Sequence, residues 1–171
     1  SEPTPAEKNG AEKGIAVCLS GGGFRAMLFH VGSLLRLNEA GVLARVSRVS
    51  SVSGGSITAA VLGMNWKSLD FSSGKASDQP MRAHLVDPIS RLANHTIDIP
   101  SVGVGLLFPG MTISDRVAAA YDKHLFHGAT LQALPNDAAK EGPRFVINAT
   151  SVQTGSLWRF SRPYMGDYRV G

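Results

Sequence analysis

Two short stretches of this 171-residue chain carry residue types suited to chemistry at an oxygen atom. Ser53 stands in Ser51-Val52-Ser53-Gly54-Gly55, directly after the β-branched run Val46 to Val52 and before the small residues Ser56, Ala59 and Ala60. A serine on a sharp strand-to-helix turn is pushed out at the edge of a sheet, and so tight a turn tolerates only small neighbours; this is the logic of the G-x-S-x-G nucleophile elbow. Ser51 replaces the first glycine of that pattern and is small enough to fit. The second stretch, Gly21-Gly22-Gly23, follows the apolar run Ile15 to Leu19. Consecutive glycines let a phosphate, a dinucleotide or a developing oxyanion come close to backbone N–H groups.

The elements around these stretches must bring them together. Ile15 to Leu19 has the profile of a buried parallel strand. From Phe24 to Ala40, Met27, Val31, Leu34 and Leu35 recur at helical spacing, and Gly41 sits where a left-handed C-cap is expected. Val46 to Val52 reads as a second strand and Ile57 to Met64 as a second helix. Crossovers between parallel strands are right-handed, so the C-terminal ends of both strands emerge at one sheet edge, and topology alone sets the glycine loop beside Ser53. Farther on, 68–79 reads as a polar loop, Met81 to His95 and Thr112 to His127 as helices, with Thr112 or Ser114 as N-cap of the latter. Arg144 to Thr150 and Leu157 to Ser161 read as strands joined through Gly155, a hairpin that extends the sheet. The Gly- and Pro-rich apolar stretch Ile97 to Met111 packs as a loop or lines a hydrophobic groove.

The residues choose among the three occupants of the glycine loop. A dinucleotide fingerprint needs glycine where Ala26 stands, a phosphate-binding P-loop needs a lysine that is absent, and no acidic residue ends the second strand to hold a ribose. Free amides beside an exposed serine suit an acyl-transfer oxyanion. A Ser53–His124–Asp115 triad has a feasible chain order, and His30 lies on the helix after the glycine loop, but neither histidine sits in a recognisable turn motif.

Gly21-Gly22-Gly23-Phe24-Arg25-Ala26, Ser50-Ser51-Val52-Ser53-Gly54-Gly55-Ser56 and the segment Asn148 to Gly155 together resemble the patatin-like phospholipases, in that family's order, over residues 14–171. The resemblance implies a three-layer α/β/α fold, its core mostly parallel, and a lipid acyl hydrolase working through a Ser-Asp dyad. Carried over by position, Ser53 is the acyl-accepting nucleophile, Ser51, Gly54 and Gly55 shape the elbow, Gly21, Gly22 and Gly23 form the oxyanion hole, and Arg25 orders the loop or meets a lipid phosphate. No cofactor and no metal is implied. The family's aspartate lies in an Asp-Gly-Gly or Asp-Gly-Ala motif, which this sequence lacks; Asp167, followed by Tyr168, matches poorly. The expectation is that the aspartate lies beyond the given chain or on a second fragment, and that without it Ser53 is a weak nucleophile. A catalytically idle lipid-binding or interaction module is the alternative.

Bulk properties bound the rest. With 43% apolar and 18% charged residues, the chain is expected to form one domain over 14–171 after a flexible polar leader at 1–13. The net charge of +4 comes from scattered Lys and Arg without a basic run, which argues against nucleic acid and leaves room for peripheral contact with an anionic membrane. No run has the roughly 18 apolar residues of a spanning helix, so the chain is expected to touch a membrane rather than span one; the compartment is left open, with the cytoplasm or a peripheral-membrane site preferred. Cys18, alone in an apolar strand, is expected to be a small buried hydrophobe.

Overall fold

Ile15–Leu19 forms the first strand, β1, in the computed structural model, which describes residues 13–97 and 113–169. The chain then turns through the glycines into α1 (Gly23–Glu39), crosses back by a short 3-10 turn at Leu43–Arg45, and enters β2 (Val46–Val52). α2 (Gly54–Met64) follows after a single residue, Ser53. Farther along come the helices α3 (Asp78–Met81), α4 (Asp87–Ile97) and α5 (Ile113–Tyr121), then β3 (Arg144–Thr150), β4 (Leu157–Phe160) and β5 (Met165–Gly166).

The five strands lie in sequence order in one mixed sheet. β1 and β3 flank β2 in parallel, with Val49 opposite Val17 on one side and Phe145 on the other, while β4 and β5 continue in antiparallel fashion. The α/β architecture and its parallel start are therefore as the sequence leads one to expect, and so is the β3–β4 hairpin.

α2 packs directly on β1, β2 and β3, and α1 packs on α2. Side chains alternate across a sheet, so Leu19, Val49 and Phe145 share the helix-covered face and are almost fully buried with Met27, Leu34, Ala59 and Leu62. Polar ties pin the layers: the buried Thr58 hydroxyl donates to the Met27 carbonyl at 3.0 Å, joining α2 to α1. Asn38, also buried, donates to the Ala76 carbonyl at 2.8 Å and accepts from the Ala76 amide at 2.9 Å.

Three expectations need correction. Cys18 is exposed, because alternation puts it with Ala16 on the sheet face opposite the helices. The helix expected over 81–95 is interrupted by a π-helical turn at Arg82–Val86. Pro88 has no N–H to offer the His84 carbonyl, which removes an ordinary helical bond at that break. The helix expected over 112–127 likewise passes into a π-helical turn at Asp122–Phe126, where the Asp122 carboxylate accepts from the Gly128 amide at 2.7 Å and His127 adopts a left-handed conformation, φ 49°. The polar leader, the Thr112 cap and most of the apolar stretch 97–111 lie outside the described residues.

Gly32 is exposed in the middle of α1, and a β-carbon there would meet nothing within 4 Å. Gly32→Ala is expected to raise stability by about 0.5–1 kcal/mol, because glycine loses more backbone entropy in a helix than alanine does. A higher thermal midpoint checks this, and a lower one would contradict the packing described for α1.

Candidate active site

Ser53 is where β2 stops being a strand and α2 begins. Its backbone, φ 56° and ψ −129°, is left-handed for a residue with a side chain, a conformation that costs on the order of 1–3 kcal/mol and survives only where the surroundings impose it. They do so from both sides. Gly54 and Gly55 follow immediately, and a β-carbon at Gly54 would come within 2.5 Å of the Gly23 carbonyl oxygen. A β-carbon at Gly55 would overlap the Leu19 carbonyl oxygen and stand 2.6 Å from its carbon. The elbow glycines are thus backbone-on-backbone contacts between α2, the end of β1 and the glycine loop.

The loop is fixed to the elbow by a hydrogen bond from the Gly55 amide to the Gly21 carbonyl, 3.3 Å. Gly22, in extended conformation before α1, lies against the serine: a β-carbon built on it would be 3.4 Å from the Ser53 hydroxyl oxygen. Below the loop, the Nε2–H of buried His30 donates to the Ser20 carbonyl at 2.8 Å. The imidazole is committed to the loop that precedes Gly21.

Two helix N-termini meet at Ser53. Neither α1 nor α2 has a side-chain cap or an acidic residue in its first turn. Helix N-termini carry unsatisfied amides and partial positive charge, so a pair of them without local carboxylates favours an arriving anion or oxyanion. Arg25, exposed in the first turn of α1, makes no hydrogen bond or ion pair among the described residues. A cation there opposes the helix dipole, and an anion between them would relieve both. Loop ordering, the other role considered for Arg25, has no bond to support it.

The strand beneath is clamped by Asn148, the first residue of a segment that carries the family resemblance but to which the sequence assigned no role. Asn148, opposite Val52 across β2–β3, donates from Nδ2 to the Ser51 carbonyl at 2.9 Å and to the Ser50 hydroxyl at 3.0 Å. It holds the last residues of β2 at the point where the chain must turn. Ser51, in the position of the pattern's first glycine, is buried, and its hydroxyl finds no partner among the described residues. Glycine would remove that orphaned group, which is the local cost of the substitution.

The Ser53 side chain is exposed and its hydroxyl makes no hydrogen bond among the described residues. None of His30, His124 and Asp115 is hydrogen-bonded to it. Asp167 is occupied elsewhere: its carboxylate accepts from the Ser156 hydroxyl and, at 2.9 Å, from the Arg169 amide. It follows β5, three strand positions from β2, or about 14 Å at ordinary interstrand spacing. Among the described residues there is no group of His, Cys, Asp or Glu that could hold a metal ion, and no helix is long and apolar enough to cross a membrane.

A family model described as patatin-like phospholipase matches residues 17–143. No curated protein matches the chain. Among solved structures, it is similar to human GIVD cytosolic phospholipase A2 in complex with methyl γ-linolenyl fluorophosphonate, with a TM-score of 0.56 and 24% identity over 92% of this chain. A second structure of that enzyme, with the same inhibitor and terbium chloride, gives a TM-score of 0.53 and 20% identity over 91% of this chain. At such identities the likeness concerns the fold. The chain spans 24% of the length of each of those two structures.

Proposed function

From the premise that this chain belongs to the patatin-like phospholipase family, we propose that it is the part of a lipid acyl hydrolase that carries the nucleophile and the oxyanion hole. The observation that carries the reading is the strained Ser53 elbow seated against Gly22, where two uncapped helix N-termini converge. Ser53 Oγ attacks the ester carbonyl and forms the new C–O bond. The carbonyl electron pair moves to oxygen, which the amides of Gly22 and Gly23 receive, while Gly21 shapes the turn that presents them. Collapse of the tetrahedral species expels the alcohol, which takes the serine proton through a base, and water then attacks the acyl-serine to release the fatty acid. The base is a carboxylate brought to Ser53 from outside the described residues. Arg25 meets the substrate's phosphate, consistent with a phospholipid ester. No step calls for a metal or a cofactor, and the only other contact invoked is with the surface of the lipid aggregate.

Hydrolysis of p-nitrophenyl butyrate by a protein that also carries the carboxylate base, measured with and without the Ser53→Ala substitution, tests this reading. Turnover that survives the substitution would overturn it. The same assay separates His30 as a positioning residue from His30 as the general base. His30→Ala leaves the Ser20 carbonyl unpaired, which is expected to cost about 1–3 kcal/mol of stability and to lower turnover several-fold with an unchanged pH profile. Loss of the acidic limb of the profile, where protonation of a base stops turnover, together with about a hundredfold or greater fall in rate would instead mark the imidazole as the base.

A further inference from the structure

Behind Ser53 lies a cavity of about 440 Å³ that the chemistry above does not use. One wall is the face of α2 made by Ser56, Ile57, Ala60 and Met64, spaced so that they line one side of the helix; Ile147 of β3 and Leu134 close it from across the sheet and from the loop that follows α5. Its lining contains no charged side chain, and Ser56 and Thr130 supply its only hydroxyls. The outer loop is held in place, since the Arg162 guanidinium donates to the Leu134 carbonyl at 2.7 Å and the Gln132 amide donates to the Arg162 carbonyl at 3.1 Å.

The placement decides what enters. β2 separates two neighbours: Gly55 touches Leu19 of β1 beside the glycine loop, whereas the cavity includes Ile147 of β3. Ser53 therefore has the oxyanion site and Arg25 on one flank and an uncharged cavity on the other, starting within one helical turn. A phosphate or sugar headgroup in that cavity would lose its hydration without gaining partners, whereas a hydrocarbon chain gains by burial. Resting on the hydrolase reading, we propose that this cavity receives the acyl chain of the ester that acylates Ser53 and that Ala60 and Met64 set its length. From Ser56 to Met64 α2 rises about 12 Å, enough for an extended chain of roughly ten carbons, with Ala60 about halfway.

The test is a chain-length series of p-nitrophenyl esters from acetate to laurate. The proposal predicts that kcat/KM climbs by about fourfold per methylene up to the decanoate and then levels off. Ala60→Phe, which fills the middle of the cavity, is expected to stop the climb near the hexanoate and cut the decanoate-to-butyrate ratio at least tenfold. Met64→Ala, which opens its far end, moves the plateau to longer chains, so the pair shifts the profile in opposite directions. Binding of butyrate and decanoate to the Ser53→Ala protein, measured by calorimetry, reads the cavity without turnover and should show the same ordering, abolished by Ala60→Phe. A profile and a binding order that neither cavity variant alters would overturn the acyl-pocket assignment even if Ser53 is reactive. Chain-length-dependent binding with a Ser53 that stays unreactive in a protein also carrying the carboxylate base would overturn the hydrolase reading instead and leave a fatty-acid site.

Discussion

Replacing Gly55 with alanine is expected to destabilise the fold by about 3 kcal/mol or more, a large share of the roughly 5–15 kcal/mol that holds a domain together. The direction is informative, because Gly→Ala in the first turn of a helix at an unstrained backbone usually stabilises by a few tenths to about 1 kcal/mol. Here the added methyl would overlap the Leu19 carbonyl oxygen. Neither neighbour can yield cheaply: Leu19 is tied into the β1–β2 ladder opposite Ser51, and the Gly55 amide is bonded to the Gly21 carbonyl. Relief would require α2 to lift from the sheet and take its buried residues Ala59 and Leu62 with it. Urea unfolding of the variant beside Gly32→Ala checks the argument, since the two glycine-to-alanine changes should move the midpoint in opposite directions. A Gly55→Ala midpoint at or above that of the parent protein would mean that α2 does not sit on Leu19 as described.

The second large effect is on reactivity. In a protein that also carries the carboxylate base, Ser53→Ala should lower ester turnover by about a thousandfold or more, as removal of a nucleophile does where an oxyanion hole remains to give residual catalysis. Stability should change little, because alanine keeps the β-carbon and with it the strained backbone, and the lost hydroxyl had no partner among the described residues. Ser53→Gly sharpens the test. It removes the nucleophile equally, but glycine adopts φ 56° freely, so this variant should be more stable than Ser53→Ala by about 1–2 kcal/mol. A stabilised but inactive Ser53→Gly would show that the elbow stores strain for the sake of the serine's position. Equal stability of the two variants would remove strain from the account.

Much of the site was legible in the sequence because it is built from backbone. Glycine runs and a serine between a strand and a helix announce tight turns, and parallel topology then brings Gly21–Gly23 to Ser53 without reference to any side-chain contact. What sequence reading missed depends on long-range pairing. The Asn148 clamp on Ser51 and the tie from His30 to Ser20 are visible only once strand register and helix rotation are known. Cys18 misled for a related reason: a short apolar run gives no alternation from which to tell the helix-covered face from the open one. The π-helical turns also escaped, although Pro88 and the left-handed pair His127 and Gly128 lie close to their ends. The cavity beside α2 could not be anticipated at all, since it joins α2, β3 and the loop near Leu134 across long sequence separations.

The most direct measurement is peptide mapping by mass spectrometry after treatment of the protein with an alkyl fluorophosphonate, with Ser53→Ala alongside. The account predicts a single phosphonate adduct on Ser53 that is absent from the variant. Ester turnover that persists while Ser53 remains unlabelled, or an adduct on another residue that appears equally in Ser53→Ala, would contradict the assignment of Ser53 as the nucleophile.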